Sequence, residues 1–105
     1  MKYSRILLAM TTMVLSTAAS AACDHEITEI AATYGSRSDF PSSPVLAGTL
    51  LAGEIRKGAQ GQIGPFHQDV YLYINNGSFH SGWFQEAFAL DLECKLKGYT
   101  LLYSE

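Results

Sequence analysis

The chain has 105 residues, with 7 basic and 10 acidic side chains, 48% hydrophobic residues and two cysteines. That length corresponds to one domain. No cluster of basic residues is available to neutralise phosphates, so nucleic acid is excluded as a predicted partner, and attraction to an anionic membrane surface is not expected either.

Residues 1–22 have the layout of a cleaved secretory signal peptide. Lys2 and Arg5 supply the positive start, "ILLAMTTMVL" the apolar centre and "STAASAA" the small residues at which a signal peptidase cuts. The apolar centre is shorter than the about 20 residues that span a bilayer, and no later segment is longer, so no transmembrane segment is predicted. The pattern is typical of bacterial export and predicts a periplasmic or secreted protein. Removal of Lys2 and Arg5 leaves 5 of the 7 basic residues against 10 acidic ones, a net charge of −5 with histidine neutral.

The two cysteines, Cys23 and Cys94, predict a disulfide that staples a single domain over residues 23–105. A domain of this size buries little surface and gains from a covalent link. Loop entropy assigns a bridge across about 70 residues roughly 4 kcal/mol. Two alternatives are an intermolecular disulfide and a lipid anchor on Cys23, although Ser20 stands where lipoprotein signals usually have leucine.

Residues 24–34 are predicted to form a helix that Asp24 caps and Gly35 ends. Residues 35–44 form a loop, and residues 45–55 a strand. The glycine-rich stretch 56–65 is a predicted hairpin loop, since it matches neither a P-loop nor GxGxxG. The helix has one apolar stripe at i, i+3, i+4 and i+7, formed by Ile27, Ile30, Ala31 and Tyr34.

Residues 67–86 predict a β-hairpin whose two-residue turn is Asn76-Gly77, the pair that favours a type I′ turn. In that register Val70 faces Trp83 and Ile74 faces Phe79, on a face that packs on the core. The other face is a candidate surface for binding a protein partner, because aromatic side chains on a rigid hairpin are good anchors. It carries Tyr71, Tyr73, His80 and Phe84.

Residues 88–97 alternate apolar and polar, which predicts a half-buried strand with Cys94 on the buried face, near Cys23. A turn at Lys97-Gly98 then leads to a last strand over 99–103. The predicted fold is α+β, with one N-terminal helix packed on a small antiparallel sheet of four to five strands. The alternative is a small open β-barrel.

His67, Asp69 and Glu86 project from one face of the predicted hairpin and form a weak candidate metal site, with solvated edge residues as the favoured interpretation. His80 lies roughly 20 Å from them at 3.3 Å per residue. It stands between Ser78 and Ser81 without a GxSxG motif or an acid to orient it, so no catalytic residues, no cofactor and no enzyme activity are predicted.

These features predict a small soluble exported protein that acts by binding another protein, in the manner of an inhibitor or immunity protein. One alternative is a carrier of a small ligand or metal. A second alternative is a structural component of the cell envelope that is anchored as a lipoprotein through Cys23.

Overall fold

A computed structural model describes residues 23–38 and 43–105 of the chain. The predicted signal peptide, residues 1–22, lies outside the described residues. One helix, α1 (Asp24–Tyr34), precedes six strands in the described ranges. The strands are β1 (Val45–Leu50), β2 (Arg56–Lys57), β3 (Gln62–Ile63), β4 (Val70–Phe79), β5 (Gly82–Leu90) and β6 (Leu96–Ser104). No helix in the described part of the chain is long and apolar enough to cross a membrane.

Four strands form one antiparallel sheet in the order β1-β4-β5-β6, and β2 pairs with β3 in a separate two-stranded sheet. The described part of the chain is thus mostly β, with one helix beside a four-stranded antiparallel sheet. This outline confirms the predicted helix and the small antiparallel sheet. The sheet is not closed into a barrel, because β1 and β6 are its two separate edges.

The β4–β5 hairpin turns at His80 and Ser81, so the predicted turn at Asn76-Gly77 is wrong. Phe79 pairs with Gly82 and Tyr73 with Phe88, and Gly77 lies inside β4 opposite Phe84. This register places the apolar run 87–90 in the centre of the sheet, where its side chains are buried. Burial of that run outweighs a local turn preference. Gly77 serves packing instead, since the ring of Phe84 occupies the space that a Cβ atom would need.

The predicted strand over 88–97 is also divided, because β5 ends at Leu90 and a turn follows at residues 91–95. The Asp91 carboxylate builds this turn by accepting the backbone N–H groups of Glu93 and Lys95, both at 2.9 Å. Leu92, expected on the buried face, is 63% exposed. The last strand therefore begins at Leu96 and not at 99, and no turn occurs at Lys97-Gly98. Short aspartate side chains favour such turns, and here that preference overrides the alternating pattern.

The core lies on both faces of the sheet. On the face beneath α1, called the helix face, Tyr73, Phe88 and Leu90 pack with Cys23 and Ile27. The opposite face holds a cluster of Leu50, Ile63, Val70, Leu72, Ile74, Ala87, Ala89 and Leu102, with Phe66 against it. Because β5 is buried on both faces, its sequence reads as a continuous apolar run near its end and not as an alternation.

The predicted disulfide is confirmed: Cys23 and Cys94 are bonded, with Cα atoms 5.4 Å apart. The bond joins the start of α1 to the β5–β6 turn. The sulfur of Cys23 is therefore not available for a lipid anchor in this structure. Asp24 does not cap the helix as predicted, since its carboxylate accepts the hydroxyl of Tyr73 at 3.0 Å.

Candidate functional site

A fully buried carboxyl group lies on the helix face, where α1 ends. Glu86 is 0% exposed and accepts three hydrogen bonds. Oε1 accepts the Ser36 backbone N–H at 2.9 Å and the Tyr99 hydroxyl at 2.6 Å, and Oε2 accepts the Asn75 side-chain amide at 2.8 Å. Three donors directed at one carboxyl group are the usual way in which a buried acid is satisfied. We call Glu86, Asn75, Tyr99 and Ser36 the glutamate cluster.

The cluster follows from strand register and from one close approach of the backbone. Asn75 and Glu86 are partners across β4 and β5, so their side chains meet on the helix face. Gly35 brings the chain over them, since a Cβ atom there would lie 2.6 Å from the Ala31 carbonyl oxygen and 2.9 Å from Oε2 of Glu86. Only glycine therefore allows the end of α1 to pass this close to the carboxyl group.

Tyr99 links the cluster to the apolar part of the helix face. Its ring packs on Phe88 with centroids 5.1 Å apart, and its hydroxyl donates to Glu86. Burial, followed by the hydrogen bond to Glu86, raises the pKa of Tyr99 above its ordinary value. The hydroxyl therefore keeps its proton and remains a donor through neutral and moderately alkaline pH.

One atom of the cluster has no hydrogen-bond partner within residues 23–38 and 43–105. Asn75 is 4% exposed, and its Oδ1 atom is buried without a hydrogen bond among the described residues. The amide cannot be turned to relieve this, because its Nδ2 atom already donates to Glu86. An unsatisfied buried acceptor costs about 1–3 kcal/mol. In native proteins such atoms are few, and each calls for a physical explanation.

Two adjoining cavities lie between α1 and the start of β1, and together we call them the α1–β1 groove. The first has a volume of about 490 Å³ and the second about 480 Å³. Both are lined by Thr28, Ser43 and Pro44. The first also reaches Asn75, the last turn of α1 at Ala31 and Ala32, and the chain after α1 at Gly35, Ser36, Arg37 and Ser38. The second continues along β1 and the start of the helix, at Asp24, Ile27, Val45 and Leu46.

The two edges of the four-stranded sheet differ. The glycine-rich loop covers the end of β6: the Gln60 backbone N–H donates to the Leu102 carbonyl and its side chain donates to the Ser104 carbonyl, both at 2.8 Å. On the outer side of β1, no strand pairs with residues 45–50 in the described ranges. Val45 in this strand is 67% exposed.

The four predicted aromatic binding residues do not share one exposed surface. Tyr73 is 1% exposed, and Phe84 is buried with its ring stacked on Phe79 at 6.1 Å. Tyr71 is half-buried and packs against the helix-face cluster, while His80 is exposed in the hairpin turn. The shift of register separates them, because the pairing on which the shared face depended does not occur.

The three predicted metal-site residues are not brought together. His67 and Asp69 are exposed in the loop before β4, where Asp69 accepts the Ala52 backbone N–H at 2.9 Å. Glu86 instead pairs with Asn75, six residues along the strand from Asp69, or roughly 20 Å at 3.4 Å per residue. No group of three metal-binding side chains occurs in the described parts of the chain.

Sequence reasoning did not find the glutamate cluster. The sequence contains one weak indication of it, which is that Glu86 directly precedes the apolar run 87–90. An acid at the start of a buried run must either reach solvent or find donors. The donors Ser36 and Tyr99 lie far away in the sequence, so only the fold brings them to it.

No protein-family model matches the chain, and comparisons with curated proteins and with solved structures find no significant similarity. Three features of the described residues bear on function: the glutamate cluster, the α1–β1 groove and the β1 edge.

Proposed function

We propose that the mature chain is a small exported protein-binding module that takes an extended segment of a partner protein along β1, beside the α1–β1 groove. Export is supported by the signal-peptide pattern of residues 1–22 and by the Cys23–Cys94 disulfide, which persists in oxidising compartments. An inhibitor- or immunity-type role fits a domain that acts by binding and not by catalysis.

The asymmetry of the two sheet edges carries the proposal. An edge strand presents unpaired N–H and C=O groups, which pair readily with an added strand. Proteins usually protect such edges with charge, proline, bulges or a covering loop. The chain covers β6 with the loop around Gln60, whereas β1, "VLAGTL", contains no charged residue and no proline.

The irregular register between Leu46 and Gly48 is the one protective feature of β1. It interrupts the row of unpaired N–H and C=O groups on the outer side of β1 but leaves the groups on either side of it able to pair. A docked segment therefore pairs over short stretches on either side of the irregularity. Affinity beyond those few hydrogen bonds comes from side chains placed in the groove, as in other recognition by strand addition.

The groove lies where those side chains would be placed. Val45 and Leu46 line it from β1, and Ile27 and Thr28 line it from the helix. It therefore offers apolar contacts beside the backbone row. A strand bound at β1 would combine main-chain pairing with side-chain selection, which is how an edge strand beside a helix gives specificity.

The proposal is tested by capture with matched charge variants. Ala47→Lys/Thr49→Lys places two lysines on the exposed edge, and Gln68→Lys/Ser81→Lys places two on exposed sites away from it. Tagged wild-type protein is expected to retain a stoichiometric partner from periplasmic extract or culture medium. The control variant keeps it, and the edge variant loses at least tenfold in affinity because charged side chains block strand addition.

The position of the partner is then read by hydrogen exchange on the purified complex. Amides within residues 45–50 are expected to become protected on binding, since a docked strand accepts their outward N–H groups. Retention of the partner by the edge variant, or protection confined to the hairpin turn at His80 and Ser81, would overturn the proposal. Concentration-dependent pairing of the protein with itself at β1 would replace the foreign partner with a second copy.

A further inference from the structure

The face of the sheet opposite α1 carries a pair of aromatic side chains near the hairpin turn. Trp83 in β5 shares this face with Ala87 and Ala89, because side chains alternate along a strand. It is 49% exposed, and the ring of Tyr103 in β6 packs against it with centroids 4.9 Å apart and ring planes at 48°. Scattered exposed apolar side chains are normal, but tryptophan is enriched at interfaces, and a second ring supports this one on a paired strand. The pair therefore presents a flat apolar surface to solvent.

Strand register places an acidic side chain beside this aromatic pair. Phe84 pairs with Ser104, and the backbone N–H of Glu105 donates to the Trp83 carbonyl at 3.0 Å. Trp83 and Glu105 therefore stand opposite one another, and Tyr103 lies two residues from Glu105 on the same face. Opposed side chains on antiparallel strands have Cβ atoms about 4.5–5.5 Å apart, so the Glu105 carboxylate lies within reach of the indole.

The Glu105 carboxylate has capacity for a further partner. It is exposed, and neither of the salt bridges that form within residues 23–38 and 43–105 includes it. Partial burial, followed by a hydrogen bond to Glu105, raises the pKa of the Tyr103 hydroxyl. That hydroxyl occupies one of about four lone-pair positions of the carboxylate, so other positions can accept from a ligand.

Gln85 adds a neutral acceptor on the same face. It lies next to Trp83 along β5 and opposite Tyr103 in β6. Its Nε2 atom donates to Oδ1 of Asn76 in β4 at 3.1 Å. Because this hydrogen bond uses the nitrogen side of the amide, Oε1 of Gln85 can accept from a ligand beside the indole.

These groups together favour a planar cation. Aromatic faces attract cations, and tryptophan does so most strongly. A guanidinium group can stack on an indole while its N–H groups pair with a carboxylate, whereas an ammonium group cannot stack. Its five donors, without any acceptor, match the oxygens of Glu105 and Gln85. An anion would be repelled by Glu105, and a neutral sugar or proline ring would leave that carboxylate without a countercharge.

We propose that Trp83, Tyr103, Gln85 and Glu105 bind an arginine side chain of a partner polypeptide, with the guanidinium stacked on the indole and paired with the Glu105 carboxylate. The net charge of the chain, −3 with neutral histidine, favours the approach of a basic partner. The site lies between β5 and β6 on the face away from α1, so it does not depend on strand addition at β1.

The direct test uses the fluorescence of Trp83, the only tryptophan of the chain. An acetylated and amidated Gly-Arg-Gly peptide is titrated into the mature, oxidised protein at low salt. Its control carries citrulline, which keeps the planar end of arginine but not the charge. The arginine peptide is expected to change the emission saturably, and the citrulline peptide to bind roughly fivefold more weakly. Equal binding of the two peptides, or no saturable response to arginine, would overturn the proposal.

Other occupants are tested by the same titration. A Gly-Lys-Gly peptide is expected to bind more weakly than the arginine peptide, because its ammonium group cannot stack on the indole. Binding of the lysine peptide as tight as that of the arginine peptide would contradict the choice of arginine. A stronger response to a Gly-Pro-Gly peptide or to cellobiose would replace the cation with an apolar ring or a sugar.

A pair of charge variants connects the response to Glu105. Glu105→Lys and Glu93→Lys change exposed residues by the same charge, and Glu93 lies in the turn at residues 91–95. The arginine response is expected to disappear in Glu105→Lys, where a cation takes the place of the acceptor, and to persist in Glu93→Lys. Unfolding midpoints of both variants verify that they fold. Equal loss in both variants would mean non-specific attraction by net charge, and persistence in Glu105→Lys would refute the assigned site.

Discussion

The helix face of the sheet has two ends that are built differently. At the Cys23 end of α1, Ile27, Phe88 and Leu90 pack beside the disulfide and bury only apolar surface apart from the Tyr73 hydroxyl. At the Gly35 end, the same face holds Glu86 and Asn75 and opens into a cavity of about 490 Å³. We call these the apolar end and the polar end.

The two ends of the helix face are therefore stabilised by different interactions. The apolar end is stable when its side chains fill the space between helix and sheet, and the disulfide adds a covalent constraint. At the polar end every buried polar group needs a hydrogen-bond partner, and the Oδ1 atom of Asn75 has none in the described part of the chain. The fold thus satisfies the Glu86 carboxyl group with three hydrogen bonds and leaves the neighbouring Asn75 oxygen without one among the described residues.

Removal of the disulfide is expected to have the largest effect, because it acts on the whole unfolded chain. The Cys23→Ala/Cys94→Ala variant should lose about 4 kcal/mol of unfolding free energy, the loop-entropy value for residues 71 apart in the sequence. Denaturant unfolding of the variant and of reduced wild-type protein should agree within error. A loss below about 1 kcal/mol would mean that the unfolded chain is already compact near these residues.

Substitution of Glu86 tests the polar end. Glu86→Met leaves the donors of Ser36, Asn75 and Tyr99 without their acceptor and is expected to cost about 3 kcal/mol. Glu86→Gln is the matched control and should cost about 1 kcal/mol, because glutamine can accept through Oε1 and donate to a turned Asn75 amide.

Comparison of Glu86→Met with Glu86→Gln measures how much the hydrogen bonds of the polar end contribute to stability. Equal costs for the methionine and glutamine variants in thermal and denaturant unfolding would show that the hydrogen bonds of the polar end contribute little.

The smallest effect is expected at the single polar contact of the apolar end, and it depends on pH. Burial, then the hydrogen bond and charge of Asp24, raise the pKa of Tyr73 from 10.0 to about 12. The folded chain keeps this proton to higher pH than the unfolded chain, so the contribution is complete below pH 10 and is lost as pH rises towards 12.

Tyr73→Phe is therefore expected to cost about 1 kcal/mol at pH 7, through the lost bond to Asp24, and to weaken the fall of stability between about pH 10 and 12. Tyr34→Phe, at an exposed helix position, is the matched control. Unfolding free energies measured from pH 8 to 12 give both slopes. Identical slopes for Tyr73→Phe and wild type would contradict the assignment of this alkaline dependence to Tyr73.

Local sequence patterns predicted several features correctly. Each of these features depends either on residues close in the sequence or on the one intramolecular pairing that two cysteines allow. The helix over 24–34 follows from its apolar spacing, and its bounds agree with the structure. The disulfide follows because two cysteines allow one intramolecular pairing. The antiparallel character of the sheet follows from short strands joined by short connections.

The hairpin register and the polar end were decided by contacts between distant residues. A favoured Asn76-Gly77 turn would have moved the apolar run 87–90 away from the centre of β4, and burial of that run is worth more than the turn. The same choice set Glu86 opposite Asn75 and buried Tyr73 and Phe84, which the local pattern assigned to an open surface.

The sequence by itself determined one helix, a small antiparallel sheet and the cysteine pair that joins them. The helix and strands follow from the spacing of nearby apolar residues, and the disulfide follows because the chain has only two cysteines. Only the tertiary structure decided that Glu86 is buried, that Gln60 covers one sheet edge and that β1 remains uncovered among residues 23–38 and 43–105. The physical reason is that a buried acid and a covered edge each depend on partners far along the chain. Tyr99 and Ser36 reach Glu86 only after the sheet and helix have assembled around it.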